Sequence, residues 1–221
     1  MPIYNDSLAD YIQHMYAEED PALRQIRRGI ETHGLPPIIV KADEGRFLQF
    51  LVCVSGARRA LEIGTLGGYS GTWIARGLAP GGRLITLEQD PERATLARAH
   101  FELAGLSRQV EVRVGDAHSL LPGLESLSPF DFVFIDAEKE GYPAYLDWTV
   151  NHLRPGGVLA AHNAFRGGAI VEGSGDESTL AIQAFNARLA RLPAFISTIY
   201  PAGDGMAIAV RQRPGQPPSG R

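Results

Sequence analysis

The sequence predicts an α/β fold: a seven-stranded, mostly parallel sheet whose last strand runs antiparallel, preceded by N-terminal helices. Two patterns and a size carry this prediction. From about residue 57, short apolar runs alternate with helical stretches, the pattern of a parallel sheet flanked by helices. The last two apolar runs are separated only by P-A-G-D-G, whereas a parallel crossover needs about a dozen residues or more, so these two strands run antiparallel. A chain of 221 residues with 44% hydrophobic composition suits a single domain with a complete core.

Residues 1–56 read as a helical preface packed on that core. Leu8, Tyr11, Ile12 and Met15 recur at the spacing of one helix face between Ser7 and Ala17, with Asp6 or Ser7 placed as the cap. Asp20-Pro21 supplies a cap and a first-turn proline for a second helix, which carries Leu23, Ile26 and Ile30 and stops by Gly34. Pro36 and Pro37 break the chain, and Ile38 to Val40 is extended. Asp43 is placed to cap a third helix bearing Phe47, Phe50, Leu51 and Val54 to about Ser55.

Residues 57–213 form the core. Its predicted strands are Arg59 to Ile63, Arg83 to Glu88, Val110 to Val114, Phe130 to Ile135, Gly157 to His162, Phe195 to Tyr200 and Met206 to Arg211. The predicted helices between them are Ser70 to Gly77, Pro91 to Ala104, a short one near His118 to Ser126, Pro143 to Leu153 and Ser178 to Leu192. The tail, residues 214–221, is too rich in Pro and Gly to pack and is expected to be disordered.

Bulk properties exclude several classes. A net charge of −4 and a pI near 5.9 argue against a nucleic-acid binder, which needs clustered Lys and Arg to neutralise phosphates. Cys53 is the single cysteine, so no internal disulfide forms; it lies in an apolar run that predicts a buried thiol, and a cytoplasmic location follows. The acids Asp6, Asp10, Glu18 and Glu19 do not suit a signal peptide, and no apolar run reaches membrane-spanning length.

In an open α/β sheet, ligands bind beyond the carboxyl ends of the strands, so chemistry is sought there. The first strand ends at Glu62 and breaks into Gly64, Gly67 and Gly68 before a helix resumes, a turn that lets backbone approach a ligand closely. These glycines do not form the G-x-G-x-x-G of a pyrophosphate site, and together with the final hairpin they speak against a nicotinamide-dependent oxidoreductase. Glu88 ends the second strand 24 residues after Gly64, the usual distance for an acid that binds ribose hydroxyls; capping or solvation is the plainer role. Gly115, Asp116 and Ala117 follow the third strand, where the carboxylate either holds an amino group of a bound base or caps the next helix. Asp136 ends the fourth strand, with Lys139 three residues on, and His162 and Asn163 end the fifth. Adjacent strand tips can bring Asp136, His162 and Asn163 around one ion or substrate oxygen, or each can bond its own loop. The glycine-rich stretch from Phe165 to Ser178 suits either an acceptor-covering loop or a simple surface loop.

The ordered motifs L-E-I-G-T-x-x-G-Y-S, L-E-Q-D-P, V-R-V-G-D-A, F-D-F-V-F-I-D-A-E-K-x-x-Y, L-R-P-G-G-V-L and G-D-G-M resemble the cation-dependent class I O-methyltransferases, the catechol and caffeoyl-CoA group, from about Val40 to Arg211. The resemblance implies a Rossmann-like methyltransferase fold, S-adenosylmethionine (SAM) as cofactor, a small hydroxylated, catechol-like acceptor and a homodimer. It places cofactor contacts on Val40, Glu62, Gly64, Tyr69, Ser70, Glu88, Asp116, Ala117 and Asp136, a divalent metal on Asp136, the residue at 162 and Asn163, and the general base on Lys139. The family has Asp where this chain has His162. That departure shifts the expected ion from Mg²⁺ toward Mn²⁺. It also admits a metal-free enzyme with His162 as base, or a SAM-binding protein without turnover.

Overall fold

The computed structural model describes residues 5–172 and 175–215. Residues 216–221, most of the tail expected to be disordered, lie outside the described residues, as do residues 173–174 of the predicted loop.

Three helices lead in: α1 (Asp6–Tyr16), α2 (Pro21–Thr32) and α3 (Ala42–Ser55). Helix α2 forms as its sequence dictates, with the Asp20 carboxylate accepting from Leu23 N at 2.9 Å, Pro21 in the first turn, and Leu23, Ile26 and Ile30 buried. Three expectations are corrected nearby. Asn5, not Asp6 or Ser7, caps α1. The apolar stripe of α1 faces outward, with Leu8, Tyr11 and Met15 exposed and only Ala9 buried. Helix α3 starts a residue before Asp43, with Lys41 at the N-cap position and no side-chain cap bond from it; it buries Leu48, Leu51 and Val52 and leaves Phe50, Val54 and the Cys53 thiol exposed. A periodic stripe shows that a helix has an apolar face, but not what covers it.

The core runs β1 (Arg59–Ile63), α4 (Tyr69–Gly77), β2 (Arg83–Glu88), α5 (Pro91–Leu103), β3 (Val110–Val114), α6 (Ala117–Leu120), β4 (Phe130–Ile135), α7 (Tyr142–His152), β5 (Leu153–Ala161), α8 (Glu177–Leu189), β6 (Phe195–Tyr200) and β7 (Met206–Arg211). The sheet order is β3-β2-β1-β4-β5-β7-β6, and β7 is antiparallel to both its neighbours, as the five-residue connection requires. Strand β5 begins four residues earlier than Gly157, because Leu153 already pairs with Phe130 before the register shifts, and it ends one residue before His162.

Alternation divides the core into two layers. Ala60, Leu84, Phe132, Phe134 and Ala160 face α2, α3, α4 and α5. Leu61, Ile63, Leu87, Val133, Ile135 and Leu159 face α6, α7 and α8.

Candidate active site

Register aligns the strand ends into one row: Leu87 is paired with Ile63, Ile63 with Ile135, and Ile135 with Ala161. The next residue of each of three strands extends the ladder by one bond: Gly64 N donates to Leu87 O, Asp136 N to Ile63 O and His162 N to Ile135 O, at 3.1, 2.8 and 2.9 Å. Gly115 N likewise donates to Glu88 O at 2.9 Å. Over this edge lies a cavity of about 1420 Å³. A drug-sized ligand typically fills roughly 300–1,000 Å³, so there is room for a nucleoside-bearing cofactor and a small second molecule.

At the β1–β3 end, Gly64 has φ +100°, and a Cβ there would stand 2.1 Å from Asp136 O, so only glycine lets the β1 turn pass the tip of β4. Glu88 is buried, lines the cavity and is anchored through two backbone amides: Leu66 N donates to Oε2 at 2.7 Å and Asp90 N to Oε1 at 3.0 Å. Its remaining lone pairs suit hydroxyl donors.

Glu62 does not reach the cavity. It lies beneath the turn, fully buried, accepting from Ser70 Oγ at 2.7 Å and from Thr86 Oγ1, its register partner on β2, at 2.7 Å. Burial pushes its carboxyl up to about 7 against the two hydroxyl bonds, with the charges of Asp136 and Glu88 adding to the rise.

Val40, Gly64, Tyr69, Ser70 and Ala117 line the cavity as the resemblance implies. The Tyr69 hydroxyl, however, donates to Glu19 Oε1 at 2.7 Å, which ties the helical preface to the glycine turn. Asp116 caps α6: one oxygen of its exposed carboxylate accepts from Ser119 N and Oγ, at 3.1 and 3.0 Å, which leaves the other free for an amino group of a bound base.

At the β4–β5 end, Lys139 Nζ donates to Asp136 Oδ1 at 3.0 Å, Ala137 O at 2.9 Å and Tyr142 OH at 2.9 Å, and Lys139 lines the cavity. Burial would raise the Asp136 carboxyl, but Lys139 and His162 outweigh it and hold the group below its usual range. His162 Nε2 lies 2.8 Å from Glu44 Oε1, and Nδ1 faces Asp136 Oδ2 at 3.4 Å. Burial works against the charged ring, yet the carboxylates of Asp136 and Glu44 override it and raise His162 to about 10. Asn163, in the left-handed region at φ +57°, turns its amide onto Asp204: Nδ2 donates to Oδ2 at 3.0 Å, and Gly167 N donates to the other oxygen at 2.6 Å.

The predicted trio of Asp136, His162 and Asn163 therefore converges, and the bonds described leave Asp136 Oδ2, His162 Nδ1 and Asn163 Oδ1 as acceptors. With its Nε2–H on Glu44 the ring keeps an Nδ1 lone pair for an ion or a proton; with protons on both nitrogens it has none. Lys139 occupies one oxygen of Asp136, and Asp204 holds the amide nitrogen of Asn163, not its oxygen. Among the described residues, no group of three or more His, Cys, Asp or Glu is arranged to hold a metal.

Sequence reading missed Glu44 and Asp204 as site residues. Asp204 had a signal in G-D-G-M. Glu44 had only the local one of a third-position acid near a helix start, and its Oε2 does accept from Lys41 N at 2.8 Å. Its partner His162 is 118 residues away.

This sheet order, with its one reversed strand and an acid-anchored glycine turn beneath a two-ligand cavity, defines a class I SAM-dependent methyltransferase. The chain belongs to the O-methyltransferase family, whose model it matches over residues 13–212. It is 39% identical over 213 residues to a catechol O-methyltransferase of Niastella koreensis, covering 93% of this chain and 96% of that protein. It is 42% identical over 197 residues to a catechol O-methyltransferase of Mycobacterium tuberculosis, covering 87% and 89% of the two chains. An O-methyltransferase from Bacillus cereus, solved in complex with SAH, superposes with a TM-score of 0.89 at 38% identity, covering 93% of this chain and 97% of that one. The protein is accordingly a SAM-dependent O-methyltransferase.

Proposed function

We propose that this enzyme methylates a hydroxyl of a small, catechol-like acceptor, with Lys139 as the general base. The observation that carries the proposal is the placement of Lys139 Nζ at the cavity wall, steered by Asp136, Ala137 O and Tyr142 OH, one strand tip away from the glycine turn. The names of the two relatives support the acceptor class. SAM, when bound, supplies a methyl group on a sulfonium, which departs with the S–C electron pair as neutral SAH. Gly64, Ser70 and Glu88 hold the cofactor end, and the cavity wall aligns the hydroxyl oxygen for in-line attack. The Lys139 ammonium that rests on Asp136 first gives up a proton to solvent; the free amine then takes the hydroxyl proton while the O–C bond forms, and Asp136 Oδ1 holds the ammonium that results. If a divalent cation is bound, Asp136 Oδ2, His162 Nδ1 and Asn163 Oδ1 are the atoms that would hold it, and it would supply charge stabilisation to the acceptor oxygen.

Turnover of catechol and of caffeate with methyl-labelled SAM tests it. Labelled methyl ether is expected; SAH binding with no transfer to any diol would leave a SAM-binding protein without turnover.

A homodimer in the cytoplasm belongs to the same proposal. Exposed Leu8, Tyr11 and Met15 on α1, and exposed Phe50 and Val54 on α3, support self-association through these helices. A wild type that sediments as a dimer and a Tyr11→Glu, Phe50→Glu variant that sediments as a monomer would bear this out; a monomeric wild type would overturn it. No helix among the described residues is long and apolar enough to cross a membrane.

A further inference from the structure

The acceptor end carries a second cation that the reaction above does not use. Arg166 lines the cavity together with Lys139, Asn163, Ser178 and Asp204. Its charge acts on the carboxylate of Glu140, next to Lys139 in the chain, and on the hydroxyl of Tyr142, which lies 2.9 Å from Lys139 Nζ. The residue stands in the left-handed region at φ +50°, unfavourable outside glycine, and Gly167 and Gly168 follow it at +63° and +97°. This turn is pinned from the β6–β7 connection: Gly167 N donates to Asp204 Oδ1 at 2.6 Å, Phe165 N to Asp204 O at 2.9 Å and Ala164 N to Gly205 O at 3.0 Å. Within it, Arg166 Nε is buried and has no hydrogen-bond partner. A left-handed backbone and an unpaired buried donor are both unfavourable, and such features cluster where a site is built.

The contacts of the guanidinium do not offset these terms. Its ion pair among the described residues is with Asp176 Oδ2 at 3.5 Å, longer than the ~2.7–2.9 Å usual for a charge-assisted bond, and the Asp176 side chain is 66% exposed. The neighbouring acids are engaged elsewhere: Glu140 by Ser178 Oγ, Asp204 by Asn163 and Gly167, and Asp136 by Lys139. The Nη groups therefore keep donors for the cavity, and their planar fork matches the two oxygens of a carboxylate. Resting on the methyl-transfer reading above, we infer that Arg166 is a specificity-determining residue that binds a carboxylate on the acceptor, so that the enzyme takes catechols bearing an acid group in preference to neutral ones. The acid anchors the ring at Arg166, and the ring presents its hydroxyl to Lys139.

Protocatechuate, a catechol with a ring carboxylate, and its methyl ester are matched probes, because the ester keeps both hydroxyls and removes the charge. The wild type is expected to favour the acid roughly tenfold in kcat/KM, mostly through KM. Arg166→Gln is expected to bring acid and ester within about twofold of each other, whereas Asp176→Asn is expected to keep the wild-type preference. Calorimetry of both probes with the SAH-loaded protein reads the same preference without turnover, and the acid is expected to bind the wild type roughly tenfold more tightly than the ester. Equal treatment of acid and ester by the wild type would overturn the inference, as would an Arg166→Gln protein that retains the preference. Parallel losses toward acid and ester in Arg166→Gln and Asp176→Asn would show a strap that only ties the turn to α8, and would overturn it too. If Arg166→Gln does not fold, the wild-type comparison decides, with Arg166→Lys, which keeps the charge but not the fork, expected to narrow the preference. Absence of methyl transfer to any diol would count against the proposed reaction, and the calorimetry would still decide the role of Arg166.

Discussion

At the cofactor end of the cavity, polar groups are tied within one strand–turn–helix unit or between neighbouring strands: Ser70 and Thr86 to Glu62, Leu66 and Asp90 to Glu88. At the acceptor end the ties cross the chain, joining Asn163 to Asp204 and His162 to Glu44 at separations of 41 and 118 residues. The first end is local architecture that binds through backbone approach and anchored acids. The second is a chain of contacts that runs from Glu44 through His162 and Asp136 to Lys139. Substitutions at the two ends should therefore fail differently.

The largest effect is expected at the acceptor end. Lys139→Ala should reduce methyl transfer by roughly 10²–10⁴-fold, the usual worth of a general base, with SAH affinity by calorimetry unchanged. Loss of both would mean that Lys139 shapes the cofactor end too, and the division would dissolve. Gly64→Ala is the counterpart. Its Cβ would meet Asp136 O at 2.1 Å in a backbone conformation costly to any other residue, so several kcal/mol of stability and SAH binding should fall together. A melting temperature equal to the wild type's would show that the β1 turn has slack.

Glu62 probes the layer beneath the turn through pH. An unfolded glutamate ionises near 4.5, whereas the folded one keeps its proton to about 7. The folded state thus binds more protons in that window, and stability falls as pH rises through it, by on the order of 3 kcal/mol at most. Glu62→Gln should remove this fall, so its melting temperature should gain on the wild type's between pH 4.5 and 7 and hold the gain above. A constant difference across the window would mean Glu62 is ionised throughout. The smallest effect is expected for Glu88→Gln, which sets an amide NH₂ against Leu66 N or Asp90 N and should weaken SAH binding roughly tenfold without changing the rate of the bound complex.

The same contrast explains what could be read from the sequence. All seven strands, the reversed hairpin and the row of strand-end residues were legible, because alternation, turn chemistry and connection length are local signals. Strand β5 was placed short at its start because Leu153 pairs ahead of an irregular register that no periodicity encodes. The exposed stripe of α1 and the exposed Cys53 were misread, since an apolar spacing does not say which neighbour, if any, covers it. Asp116 has two chemically reasonable roles; the bonds to Ser119 show the capping one and leave its other oxygen for the second. Motif order brought Asp136, Lys139, His162 and Asn163 to one place. It could not say what His162 does there, because that depends on Glu44, which enters from a helix before the first strand of the sheet.

The central claim is that Lys139 takes the acceptor proton at one end of the cavity while the glycine turn holds the cofactor at the other. The most direct test is the single-turnover rate of methyl transfer from labelled SAM to catechol, by the wild type and by Lys139→Ala, each saturated with SAM. A loss of roughly 10²–10⁴-fold in the variant is expected. A variant that transfers methyl at the wild-type rate would contradict the account.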